Sequence, residues 1–147
     1  MAVADRLGLC VTPGICHDPE DFSSGAVCIS SFKIKRSLSD NHPIPSSHKV
    51  GLKRVLLAAE ESGCAITQIA VTDLKAGEVA EAHVHENMME GFYVMSGVLD
   101  MVLDGEVEHC KEGDFVWVKC GMRHELRAVA DTRTMTIGCF AESAEKE

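Results

Sequence analysis

Residues 77–97 read GEVAEAHVHENMMEGFYVMSG and place His83, His85 and Glu90 within eight positions of one another. If AHVHE were helical, residues two apart would point to nearly opposite sides, and the two histidines could not share an ion. In a strand they face one side, with Cα atoms roughly 6.8 Å apart from two rises of about 3.4 Å. Two imidazoles at that separation can converge on one cation. The four residues before Glu90 suffice for a tight turn that returns a carboxylate beside them. Only the strand reading gives the three side chains a common chemistry.

The flanking sequence agrees with strands. Gly97, Gly105, Gly113 and Gly121 recur every eight residues, separated by short apolar and often alternating segments such as VLDMVL and FVWV. That spacing belongs to an all-β sandwich or barrel. The single stretch with a helical pattern, Val55 to Ser62, is short and uncapped. Asp104-Gly105 suits a two-residue type I′ hairpin, whose central residues both need positive φ. In that register Val102 faces Val107 and Asp100 faces His109. His109 is therefore read as half of an exposed cross-strand ion pair, worth at most about 1 kcal/mol, rather than as a ligand.

Composition narrows the possible partners. The 147 residues, 46% hydrophobic and 25% charged, make one globular domain able to bury a core without staples. A net charge of -9 disfavours nucleic acid and anionic membrane surfaces as partners. Seven scattered cysteines with no CxxC pair indicate neither a disulfide framework nor a thiolate zinc site, and free thiols suggest a reducing compartment. The opening MAVADRLGL carries an acid early, and the apolar run after it is cut by Pro13 and Gly14, unlike a signal peptide. No stretch approaches the roughly 20 apolar residues of a membrane helix. The expectation is a soluble, cytoplasmic protein. All four prolines precede residue 46, so residues 1–48 are read as an N-terminal arm with short strands and turns, 49–140 as the barrel, and 141–147 as a flexible acidic tail.

Residues 77–97 fit G-x5-H-x-H-x4-E-x6-G at every specified position, and residues 113–124, GDFVWVKCGMRH, fit G-x7-G-x2-H. This two-part pattern resembles the cupin superfamily and implies its fold, a small antiparallel β-barrel of jelly-roll type. The second motif departs twice, with Lys119 where proline is usual and Ala128 where asparagine is usual; both touch turns and strand ends rather than ligands. Carried over residue by residue, the resemblance makes His83, His85, Glu90 and His124 the metal ligands. Three neutral imidazoles and a carboxylate suit one divalent Mn, Fe, Ni, Cu or Zn ion per chain. On an octahedral ion that set leaves two adjacent open positions, where a small organic molecule can chelate or bind beside dioxygen. The resemblance thus implies oxygenase-like or isomerase-like chemistry, with a non-catalytic metal-binding or ligand-sensing module as the alternative, because a fold does not fix a function.

Around these ligands strand parity places Phe92 and Val94 with Glu90 in the interior, and Val116 and Val118 on the face that leads to His124. It turns Tyr93 and Glu125 away from the ion. The remaining pocket positions read as mostly apolar, with no second acid or base beside the ligands. Methionine, concentrated in the barrel region, is read as filler of core gaps; Met88, Met89 and Met122 are the candidates for a soft pocket mouth. Cys120 reads as an inert thiol. Phe115 and Trp117 face opposite to Val116 and Val118, so FVWV is apolar on both sides, and together with the arm this implies a homodimer.

Overall fold

Strand alternation and glycine-marked turns yield, among the described residues, ten strands and one helical turn: β1 (Ile44–Pro45), β2 (Leu52–Ala58), α1 (Ala59–Ser62), β3 (Ile66–Leu74), β4 (Val79–His83), β5 (Met88–Ser96), β6 (Val98–Leu103), β7 (Glu106–Lys111), β8 (Phe115–Val118), β9 (His124–Ala128) and β10 (Thr132–Phe140). The computed structural model describes residues 33–141. Most of the expected arm, nearly all of the acidic tail and Cys10, Cys16 and Cys28 lie outside the described residues. The chain divides into two units, Met1–Lys35 and Arg36–Glu147, and every element named above lies in the second. No helix among the described residues is long and apolar enough to cross a membrane.

The strands form two antiparallel sheets, a six-stranded one in the order β1-β2-β3-β10-β5-β8 and a four-stranded one in the order β4-β9-β6-β7. This is the all-β jelly roll implied by the motifs. The Asp104-Gly105 hairpin forms in the expected register, Val102 opposite Val107 and Asp100 opposite His109, with φ of 47° and 92° at the two turn residues. His109 is exposed, and its Nδ1 lies 2.7 Å from Asp100, as its strand position implied. The Val55–Ser62 stretch divides: Val55 to Ala58 continue β2, and only Ala59–Ser62 turn helical. Glu61 steadies that turn by accepting the Ala58 N–H at 3.0 Å, and Gly63 ends it in the left-handed region.

The core lies between the sheets. Phe92, Val94 and Val118 from the larger sheet meet Leu99, Met101, Cys110 and Leu126 from the smaller one. Leu99 and Met101 are fully buried, each worth about 1.5–3 kcal/mol in transfer from water. Met101 and the partly buried Met122 pack in this core, which is the gap-filling role expected of them. The apolar cluster closes one part of the interior, so that any opening is confined to the other.

Chain crossing between the sheets depends on a close approach at Gly97. There φ is +89°, and a Cβ would sit 2.2 Å from the Asp131 carbonyl oxygen. Thr132 seals the same corner, its hydroxyl accepting the Val98 N–H at 3.1 Å. Gly105 has a similar φ of +92° with nothing within 4 Å. Gly97→Ala should therefore cost roughly 2–4 kcal/mol in chemical denaturation and Gly105→Ala only about 1 kcal/mol, because the first adds a backbone collision to the same φ penalty. Equal losses at the two sites would contradict the packing assigned to the corner.

Candidate metal centre

Four side chains meet where the two sheets approach one another at the open part of the interior. His83 ends β4 and is the Cα partner of His124 at the start of β9, both in the smaller sheet. Glu90 comes from β5 of the larger sheet, and His85 from the connection between β4 and β5. One ligand atom from each of the four lies within 4.8 Å of all the others. Every residue of the expected ligand set is thus brought together. One detail differs from the strand reading: β4 ends at His83, whose partner His124 is the first residue of β9, so the ladder stops short of His85. His85 is held instead by its own carbonyl, which accepts the Gly121 N–H at 2.9 Å. Val84, between the histidines, is 43% exposed, so the alternation survives past the end of the ladder.

Ring orientation follows from hydrogen bonding. His83 Nδ1 lies 2.8 Å from the Glu81 carbonyl, and His124 Nδ1 lies 3.1 Å from the Met122 carbonyl. A carbonyl only accepts, so in each ring a proton sits on Nδ1; this leaves the His83 Nε2 lone pair facing the cluster, and sets His124 Nε2, 3.2 Å from Glu90 Oε2, to hold a proton or a cation against that carboxylate. His83 Nε2 and His85 Nε2 are both buried with no hydrogen-bond partner. His85 Nε2 does lie 3.2 Å from Glu90 Oε2, without hydrogen-bond alignment. Buried unpaired polar atoms each cost about 1–3 kcal/mol, so two in one cluster demand an explanation.

A cation supplies one. Donors about 2.1 Å from a common ion lie roughly 3.0 Å apart at right angles and about 4.2 Å apart across it. Glu90 Oε2 is 3.2 Å from both His85 Nε2 and His124 Nε2, close to the right-angle value. The residues present therefore fit a transition-metal ion in both donor chemistry and spacing.

Without a cation the cluster is held by charge sharing. Burial pushes the His124 imidazole down, but the hydrogen bonds to Glu90 and to the Met122 carbonyl outweigh it, and its pKa is raised. Burial likewise pushes Glu90 up, and the facing histidines overcome this and lower it. His83, desolvated and facing other imidazoles, is lowered.

The centre opens into a cavity with about 590 Å³ of empty space, its open mouth included, and here the sequence reading needs correction. The walls are apolar over most of their surface but carry polar groups as well: beside Phe92 and Leu126 stand Lys53, Gln68, Thr72, Thr134 and Thr136. No methionine lines it among the described residues; Met88 instead accepts the Thr67 hydroxyl at 3.3 Å. Nor are the ligands without titratable company. The Ser46-to-Lys49 turn sets His48 over His83, rings stacked with centroids 4.2 Å apart and planes at 29°. Strand parity holds for Phe92, Val94 and Val118, which are buried, and for Tyr93, which is exposed. Lys53 and the threonines were open to the same parity argument, since each alternates with an outward residue; their strands carried no motif to prompt it.

Comparisons with known proteins come to the same fold. The family described as the cupin domain matches residues 70–139. Among solved structures, a predicted oxalate decarboxylase from Thermotoga maritima is 21% identical with a TM-score of 0.65, over 70% of this chain and 96% of that one. Ectoine synthase from P. lautus is 21% identical with a TM-score of 0.64, over 73% of this chain and 78% of that one. The polyketide cyclase RemF from Streptomyces resistomycificus is 15% identical with a TM-score of 0.64, over 76% and 81%. No curated protein matches the chain. At these identities the likeness establishes the fold alone.

The charge sharing predicts a measurable titration. In the metal-free protein, NMR should find His124 protonating above its ordinary value of 6.5. Glu90→Gln should bring it down, because burial then acts against the imidazolium with less opposition. An unchanged His124 titration in that variant would contradict the pairing.

Proposed function

From the premise that residues 70–139 are a cupin domain, we propose that the protein binds one divalent transition-metal ion through His83, His85, Glu90 and His124 and acts on a small organic molecule in the adjoining cavity. The observation that carries this reading is the convergence of four donor atoms, two of them buried imidazole nitrogens with no other partner. Thiolates take no part, so Mn, Fe, Ni, Cu and Zn all suit the site. Bound there, such an ion would supply Lewis-acid or redox chemistry and a template for the ligand.

The chain's own residues divide the remaining work. The Glu81 and Met122 carbonyls orient two of the imidazoles, as outer partners of metal-binding histidines do. Phe92 and Leu126 present apolar surface to the cavity, while hydroxyl and amide groups, Thr136 directly beside Phe92 among them, can orient a polar substrate. His48 at the mouth provides a group able to hold or move a proton. Its presence favours catalysis over passive ligand binding.

A homodimer belongs to the same proposal. On the outer face of the larger sheet Phe115, Trp117 and Tyr93 are exposed at 56%, 41% and 42%, and the first two rings lie stacked across Gly91. Such an aromatic patch on an edge strand is costly to leave in water. Light scattering at micromolar concentration should give twice the chain mass, and the double variant Phe115→Ser, Trp117→Ser should give a folded monomer. A monomeric parent protein would remove this part of the proposal.

The metal is tested directly. Elemental analysis after reconstitution should return close to one transition-metal ion per chain, and His85→Ala should lower this to a small fraction while the thermal transition of the metal-free form changes little. An empty but folded parent protein would leave the fold without its chemistry.

A further inference from the structure

The cavity wall carries a charge that the four-residue centre does not use. Lys53 lies on β2 opposite Thr72 of β3, and Thr72 lies opposite Thr134 of β10. In antiparallel pairs, directly opposed residues share a face, so the ammonium and two hydroxyls form one row on the inner surface. Four positions further along β10, and so on the same face again, Gln68 and Glu90 flank Gly138, which places the carboxylate of the metal centre on the same inner face. The neighbouring Arg54 points the other way and is paired with Asp73 at 2.6 Å; Lys53 has no such ion pair among the described residues. It is half-buried, and it lines the same cavity as Glu90 and His83. His48 at the mouth is close enough to feel both the Glu90 carboxylate and the Lys53 ammonium.

Among the described residues, Glu90 is the single carboxylate and Lys53 the single ammonium in the lining, and no arginine lines it. With a divalent ion bound and the histidines neutral, the cavity carries about two positive charges in excess, against a chain that is -9 overall. A half-buried ammonium with no ion pair is free to meet an anion that enters the cavity, and gains a charge-assisted hydrogen bond by doing so. Phosphate groups are typically held by guanidinium forks or nests of backbone N–H groups, whereas one ammonium beside hydroxyls suits a carboxylate.

We infer that Lys53 is the anchor for a second carboxylate, and that the substrate is a small dicarboxylic acid whose other end, an α-hydroxy- or α-oxo-carboxylate, faces the metal centre. This rests on the metal reading for the chelating end only; the Lys53 contact is independent of it. Lys53 lies outside the stretch that matches the cupin family, so the specificity is a property of this chain rather than of the shared barrel.

The experiment uses the full chain and four probes: malate and 2-hydroxyglutarate, and the monoacids of equal carbon number, 2-hydroxybutyrate and 2-hydroxyvalerate. Calorimetry on the metal-reconstituted protein should find at least one diacid binding about ten-fold or more tightly than its monoacid, the scale of one charge-assisted contact. Lys53→Met should reduce that ratio to within about two-fold while leaving monoacid affinity and metal content unchanged, and Lys53→Arg, which keeps the charge, should retain most of it. Equal binding of diacid and monoacid, no binding of either, or a preference that survives Lys53→Met overturns the inference. Elemental analysis reads the metal separately. A metal-free protein that still prefers the diacid through Lys53 supports the anchor while refuting the metal centre.

Discussion

The centre depends on one arrangement used twice: a histidine whose Nδ1–H is donated to the carbonyl two residues earlier. His83 does this with Glu81 and His124 with Met122, and the two are Cα partners across β4 and β9. The local bond turns each ring so that its Nε2 points away from its own backbone. Antiparallel pairing then brings the rings within 4.2 Å of one another, centroid to centroid. Neither could relax by rotating without breaking its Nδ1 bond, so both Nε2 atoms remain facing a shared point. Glu90, arriving from the other sheet, supplies the negative charge that makes the point tolerable to a proton or a cation.

The same interior is divided between packing and chemistry. Leu99, Met101, Val94 and Val118 fill one region at the density of a protein core and give the barrel its stability. Threonines from β3 and β10 fill comparable positions in the other region, where an equally sized valine would have closed the walls to polar ligands. The β-branched shape keeps strand propensity while the hydroxyl changes what the surface can bind. The cavity is thus a continuation of the core with one atom type exchanged at a few positions.

Much of this was legible residue by residue. The hairpin at Asp104-Gly105, the inward set Glu90, Phe92 and Val94, and the exposed ion pair of His109 all follow from a two-residue period and one turn type. The four presumed ligands were readable because their spacing is local, except for His124, which only the second motif supplied. What escaped was non-local or lay in strands without a motif. His85 sits beyond the end of β4 because the ladder ends where β9 begins, at the His83–His124 pair, and β9 is some 40 residues away in the chain. His48 stands over His83 because a turn preceding β2 folds back over the mouth of the cavity, a contact with no signature in SSHKV. Methionine took the core-filling role first read for it at Met101 and Met122, while Met88, the alternative candidate for a pocket mouth, meets the Thr67 hydroxyl.

By itself the sequence determined the strand period, the turn positions and the identity of the donor atoms, because each depends on residues close in the chain and on fixed chemical properties of their side chains. Tertiary structure alone decided which groups stand around those donors. Lys53, Thr72 and Thr134 become neighbours only when β2, β3 and β10 pair, and which wall faces the centre is set by the way two sheets close over a common core. Register converts distant positions into one surface, and register is fixed by the burial of whole faces rather than by any one residue.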